Sequence, residues 1–111
     1  QRKFVEERDW EQFHTPKNLA MALAAEAGEL LEIFQWLTPE ESLRLKRDSK
    51  KMKEVRHELA DIFFFILRLS DRLEIDLETA VWEKFRKNET KYPVKLAKGN
   101  AKKYTELRRG R

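Results

Sequence analysis

The sequence predicts an all-α fold, a helical bundle of about four helices that oligomerises, on three observations. Glycine and proline number three each in 111 residues, and the prolines fall where helices start or stop. Apolar residues recur at helical spacing, and even the most strand-like run, Ile62–Ile66, sits inside a longer helical period. Charged residues make up 40% and apolar residues 41% of the chain, a balance that suits solvated helix faces around a shared core.

The elements follow in order. A first helix carries Trp10 and Phe13 and ends near His14, before Thr15-Pro16. Thr15 is an N-cap and Pro16 a first helical residue, so a second helix starts near Lys17 and runs to about Leu37. Thr38-Pro39-Glu40-Glu41 repeats that start signal, with acids in the first turn. A short charged segment leads to about Ser49, and a third helix spans about Lys50 to Leu73. Asp76 caps a fourth, which ends before Pro93. Leu19–Leu37 and Leu59–Leu69 read as apolar nearly all round apart from their acids. Helices of that kind are buried on most sides, which points to an interface with a second copy. Gly28 either permits a close approach by a neighbour or is simply tolerated at about 1 kcal/mol relative to alanine.

Bulk properties exclude several classes. With no cysteine there is no disulfide framework, thiolate metal site or cysteine nucleophile. The longest apolar run, Leu19–Ala25, is seven residues, far below a membrane span. A cytoplasmic, membrane-free protein is expected, with sequence upstream of Gln1, which is not a natural start. The net charge of +4 is uneven. Residues 94–111 hold seven Lys/Arg and one acid, leaving about −2 for residues 1–93. We therefore divide the chain into a helical domain, 1–93, and a basic tail, 94–111. The tail reads as a solvated end rather than a stable nucleic-acid partner's site.

The chemistry concentrates in four acids: Glu26, Glu29, Glu58 and Asp61. Each pair is spaced i, i+3 and so shares one helix face. An isolated E-x-x-E is usually a solvated face. Here both pairs are flanked by apolar residues, and 28 residues separate Glu29 from Glu58, enough for two helices to lie antiparallel. Ionised carboxylates in apolar surroundings need a partner, and neither apolar stretch beside the pairs, Leu19–Leu37 or Glu58–Leu67, holds a lysine or arginine. A divalent cation is the simplest partner, and an all-oxygen set suits Mg²⁺. Glu32 continues the first stripe as a supporting group or surface charge.

Rival readings exist. Glu11-x-x-His14 and Glu54-x-x-His57 have the spacing of ferritin-like di-iron bundles, but His14 ends its helix and His57 lies in a lysine-rich stretch. Ser42, Ser49 and Ser70 have no histidine partner for nucleophilic catalysis, and no glycine-rich phosphate loop occurs. Most aromatics near the acids are core, although tryptophans at helix ends, Trp10 and Trp36, can wall a slot for a flat base. Lys84, Asn88 and Lys91 lie at i, i+4, i+7 on one face: an ordinary amphipathic surface, or beside a metal a phosphate grip.

Glu26-x-x-Glu29 followed by Glu58-x-x-Asp61 resembles the signature of the MazG-like, all-α nucleoside triphosphate pyrophosphohydrolases. The likeness is closer to that family's dCTP branch over Phe4-Val-Glu-Glu-Arg-Asp-Trp-Glu-Gln-Phe-His14, Asn18-Leu19, Gly28-Glu29-Leu30 and Phe34-Gln35-Trp36. It continues through Lys84-x-x-x-Asn88, Tyr92-Pro93 and Lys98-Gly-x-Ala-x-Lys-Tyr104-Thr-x-Leu107. The resemblance implies hydrolysis between the α- and β-phosphates of a deoxynucleoside triphosphate, dCTP or a modified dCTP, giving dCMP and pyrophosphate. It implies Mg²⁺ on Glu26, Glu29, Glu58 and Asp61, and a homo-oligomer, dimer or tetramer, with sites between subunits. Trp10, Phe13, His14 and Trp36 would hold base and sugar, with Phe65 at the position where relatives often carry tyrosine. Lys84 and Asn88 would hold phosphates, with Lys91, where arginine is common, and Tyr92 beside them. A further substrate-contacting position of that branch lies at or just before the start of this sequence, where Gln1 stands. These departures bear on the nucleobase, not on the reaction class.

Overall fold

The structure, a computed structural model, describes residues 1–99. All regular elements among them are helical: α1 Arg2–Glu7, α2 Pro16–Phe34, α3 Pro39–Arg44, α4 Ser49–Arg72, α5 Leu77–Lys91 and a single turn, α6, Val94–Ala97. Short 3₁₀ turns occupy Glu11–Phe13 and Leu45–Arg47. The basic tail read over 94–111 lies outside the described residues from residue 100 onward. No helix among the described residues is long and apolar enough to cross a membrane.

The capping residues act as their chemistry dictates. Thr15 Oγ1 accepts from the Asn18 N–H at 3.2 Å, with Pro16 at the first helical position. Thr38 and Glu41 close a reciprocal capping box at 3.1 and 3.2 Å. Asp48 and Asp76 cap α4 and α5 through the N–H groups of Lys51 and Thr79.

The continuous first helix expected up to His14 does not form. Helix α1 stops at Glu7, Asp9 takes a left-handed backbone (φ 53°) and a 3₁₀ turn follows. Aspartate tolerates that conformation better than most side chains. The Trp10 N–H turns back to the Val5 carbonyl, and Asn18 Nδ2 donates to the Phe13 carbonyl. Trp10 and Phe13 therefore sit on a turn strapped to α2, not on a helix face.

Two compact units divide at Ile75/Asp76. In the first, α2 packs chiefly on α4. Glu26 meets Glu58 and Asp61 at one level, and Trp36 and Leu37 share a groove with Lys51 and Glu54 further along, so the two helices run antiparallel. The buried apolar side chains among the described residues are few: Val5, Leu19 and Leu45. The most enclosed polar one is Arg68, fully buried. This corrects the reading of Leu59–Leu69 as apolar apart from its acids, because that stretch contains the cation at the centre of the N-terminal packing. Met21, Leu31, Leu59 and Phe63 on α2 and α4 are more than half exposed in the single chain. A Cβ built on Gly28 meets nothing within 4 Å, so no element among the described residues requires glycine there.

In the second unit, α5 pairs Trp82 with Phe85, edge to face at 5.9 Å.

Candidate active site

Antiparallel packing of α2 on α4 brings carboxylates together from residues 32 to 35 positions apart. One oxygen each from Glu26, Glu58 and Asp61 lies within 4.8 Å of the others. Glu26 and Glu58 are partly buried and Asp61 is exposed at the rim. Oε2 of Glu26 and Oε2 of Glu58 are both buried and make no hydrogen bond. Buried polar atoms are almost always partnered, so two orphaned oxygens on facing carboxylates mark a place for a positive ligand. The electrostatics agree. The Glu26 carboxyl is pushed up from 4.5 to about 7. The facing Glu58 carboxylate contributes most, because two acceptors held together disfavour a second negative charge; burial and the neighbouring Glu29 follow.

Glu29, one helical turn from Glu26, is exposed and lies outside this three-oxygen group. It lines an adjoining groove of about 560 Å³ with Glu32, Trp36, Lys51, Glu54 and Glu58. Trp36 stands 86% exposed at the wall of that groove. Oxygen-only donors around two orphaned carboxylate atoms fit a hard divalent cation.

The other expected residues separate into two groups. Trp10, His14 and Phe65 belong to an aromatic cluster against α4. Trp10 lies 5.6 Å from Phe4 and 6.4 Å from His14, while Phe64 contacts both Phe4 and Phe65. Phe65 is four residues after Asp61, on the same face of α4. Phe13 is 60% exposed beside this cluster in sequence, but makes no ring contact among the described residues. In the second unit, Lys84 and Asn88 line a largely apolar groove on α5 with Leu77, Val81 and Phe85. The Lys84 amine is held below its ordinary range, first by the charge of Lys91, which places these two cations side by side. Tyr92 follows as the C-terminal cap of α5.

The two E-x-x-H motifs do not converge. Glu11 and His14 are engaged with arginine: Glu11 Oε1 accepts from Arg68 at 2.7 Å and Oε2 from Arg72 at 3.1 Å. His57 lines a different groove, with Lys46, Arg47, Lys53 and Arg56. It lies eleven residues, about 17 Å of helix, from Arg68. This is not a di-iron ligand set.

Sequence reasoning missed the Arg68 network. Its guanidinium donates to Glu11, to Asp71 Oδ2 at 3.1 Å and to His14 Nδ1 at 3.3 Å. Arg2 in turn holds Asp71. An arginine inside an otherwise apolar run, with an aspartate at i+3, was the available signal.

A MazG-like family model matches residues 21–107. Two proteins named dCTP pyrophosphatase 1, from Rattus norvegicus and Homo sapiens, are 44% and 42% identical over 108 residues. That covers 97% of this chain and 64% of each relative, so the chain spans less than two thirds of their length. A crystal structure of a pyrophosphatase from Archaeoglobus fulgidus superposes with a TM-score of 0.77 at 45% identity, covering 83% of this chain and 84% of that one. Antiparallel helices with paired acids, an all-helical fold and matches across most of the sequence agree: this chain belongs to the MazG-like family.

Proposed function

We propose that the chain is a Mg²⁺-dependent nucleoside triphosphate pyrophosphohydrolase that converts dCTP, or a modified dCTP, and water into dCMP and pyrophosphate. The observation that carries this reading is the pair of buried, unpartnered oxygens on Glu26 and Glu58, within reach of Asp61. The names of its relatives support the substrate and the bond cleaved.

Glu26, Glu58 and Asp61, with Glu29 at the rim, would hold the metal. When bound, the ion supplies Lewis acidity and neutralises phosphate charge. One of the four carboxylates accepts the proton of the attacking water. Trp10, Phe13, His14, Trp36 and Phe65 are assigned to the base and sugar. A deoxyribose preference would come from close packing around the sugar that leaves no room for a 2′-hydroxyl. Lys84, Asn88, Lys91 and Tyr92 are assigned to the phosphates, where lysine charge stabilises the leaving pyrophosphate. The chain acts as a homo-oligomer, dimer or tetramer. The half-exposed Met21, Leu31, Leu59 and Phe63 beside so small a buried core support this.

Incubation with dCTP and Mg²⁺ is expected to release pyrophosphate and not phosphate, and a panel of deoxynucleotides ranks the bases. Release of phosphate alone refutes the reading. Tight DNA binding with a steep salt slope and no hydrolysis assigns the function to the basic tail instead.

A further inference from the structure

We propose that Arg68 is a positioning residue for the nucleotide: by donating from Nε to His14 Nδ1 it fixes His14 as the neutral Nε2–H tautomer and ties the Trp10–His14 turn to the helix that carries Asp61. The inference rests on the assignment of that turn to base and sugar.

A guanidinium is always protonated and only donates. The 3.3 Å contact from Arg68 Nε therefore requires His14 Nδ1 to accept, so the ring's one proton sits on Nε2. Arg68 itself has no freedom to turn away. It is fully buried, and its other nitrogens are held by Glu11 Oε1 at 2.7 Å and Asp71 Oδ2 at 3.1 Å. Asp71 is held in place by Arg2 and Glu11 by Arg72. The groups facing His14 are Arg68 and Arg72 from α4, Glu11 from its own turn, and the Trp10 ring at 6.4 Å. Burial first, then the Arg68 charge, lowers the imidazole pKa, against the pull of Glu11. Protonation would put a cation against Arg68 and break the bond that Nδ1 accepts from it.

The consequence for a substrate is a ring of defined charge with one defined donor. Arg68 follows Asp61 by seven residues, about 10 Å along α4. One guanidinium thus ties the turn that would hold the nucleoside to the helix that carries two of the carboxylates that would act on the phosphate.

The test combines long-range ¹H–¹⁵N spectra of His14 with dCTP kinetics in Mg²⁺ for wild type, Arg68→Gln and Arg68→Lys. The wild-type ring is expected to show the Nε2–H tautomer and to protonate below the ordinary 6.5. Arg68→Gln is expected to show mixed tautomers and to move the acid limb of kcat/KM upward. Its KM should rise about tenfold, the loss of one oriented hydrogen bond, with kcat little changed. Arg68→Lys keeps a cationic donor, and is expected to retain the tautomer with an intermediate KM. A wild-type Nδ1–H ring overturns the proposal without any variant. So does a folded Arg68→Gln with wild-type KM and pH profile; if that variant does not fold, an Arg68→Lys indistinguishable from wild type in KM decides the same way. Turnover with the wrong tautomer refutes this inference alone. The expected tautomer without turnover of any nucleotide refutes the proposed function, and the nucleotide role of His14 with it.

Discussion

Replacing Glu26 by glutamine should make the metal-free protein more stable at alkaline pH while removing its response to metal. The carboxyl is raised from 4.5 to about 7 in the folded chain, chiefly by Glu58. Below about pH 4.5 it is protonated in both states and contributes nothing to the pH dependence. Between there and about pH 7 the unfolded chain has released its proton while the folded chain retains it, so stability falls as pH rises and levels off above the folded value. At about 1.4 kcal/mol for each tenfold change in proton affinity the ceiling is about 3.4 kcal/mol. Glu26 is only partly buried, and solvent screening brings the expected effect to about 1 kcal/mol. That corresponds to a rise in Tm of about 4–8 °C for Glu26→Gln at pH 8, and almost none at pH 4. Thermal unfolding by circular dichroism, at one protein concentration because assembly shifts Tm, reads it directly. Adding Mg²⁺ at about 100 times its Kd should stabilise wild type by about 2.7 kcal/mol and the variant far less. A gain that is equal at pH 4 and pH 8, or absent at both, refutes the account of Glu26 and Glu58 as an uncompensated pair.

Glu29→Gln and Asp61→Asn should lose at least about a hundredfold in pyrophosphate release at unchanged helicity, since both acids are exposed and neither supports the core; retained activity would remove them from the site. Thr38→Ala should destabilise by about 1 kcal/mol in urea titration, because it opens the capping box that starts α3. Gly28→Ala should stabilise by up to about 1 kcal/mol, since its Cβ meets open space within the chain. Loss of assembly in that variant would show instead that a neighbouring copy approaches there.

Helix starts were legible because capping is local chemistry. Thr15-Pro16, Thr38-Pro39-x-Glu41 and Asp76 each satisfy N–H groups within three residues, so spacing alone locates them. The break at Asp9 was not legible. It depends on the Trp10 N–H finding the Val5 carbonyl and on the packing of Phe4 and Trp10, while the local sequence would support an uninterrupted helix. Spacing likewise placed each acidic pair on one face of its own helix, and their apolar flanks indicated a charge needing a partner.

Which acids meet was a tertiary matter. Antiparallel packing chose Glu26, Glu58 and Asp61 for the three-oxygen group and left Glu29 at the adjoining groove, a selection that spacing along either helix does not make. Arg68 shows the same division from the other side. In sequence it interrupts an apolar run; its partners Glu11 and His14 lie 57 and 54 residues away, so only the folded chain reveals that a buried cation is balanced there. Capping and periodicity act over a few residues and can be read along the chain. Charge pairing acts through space, and it was decided only when the helices met.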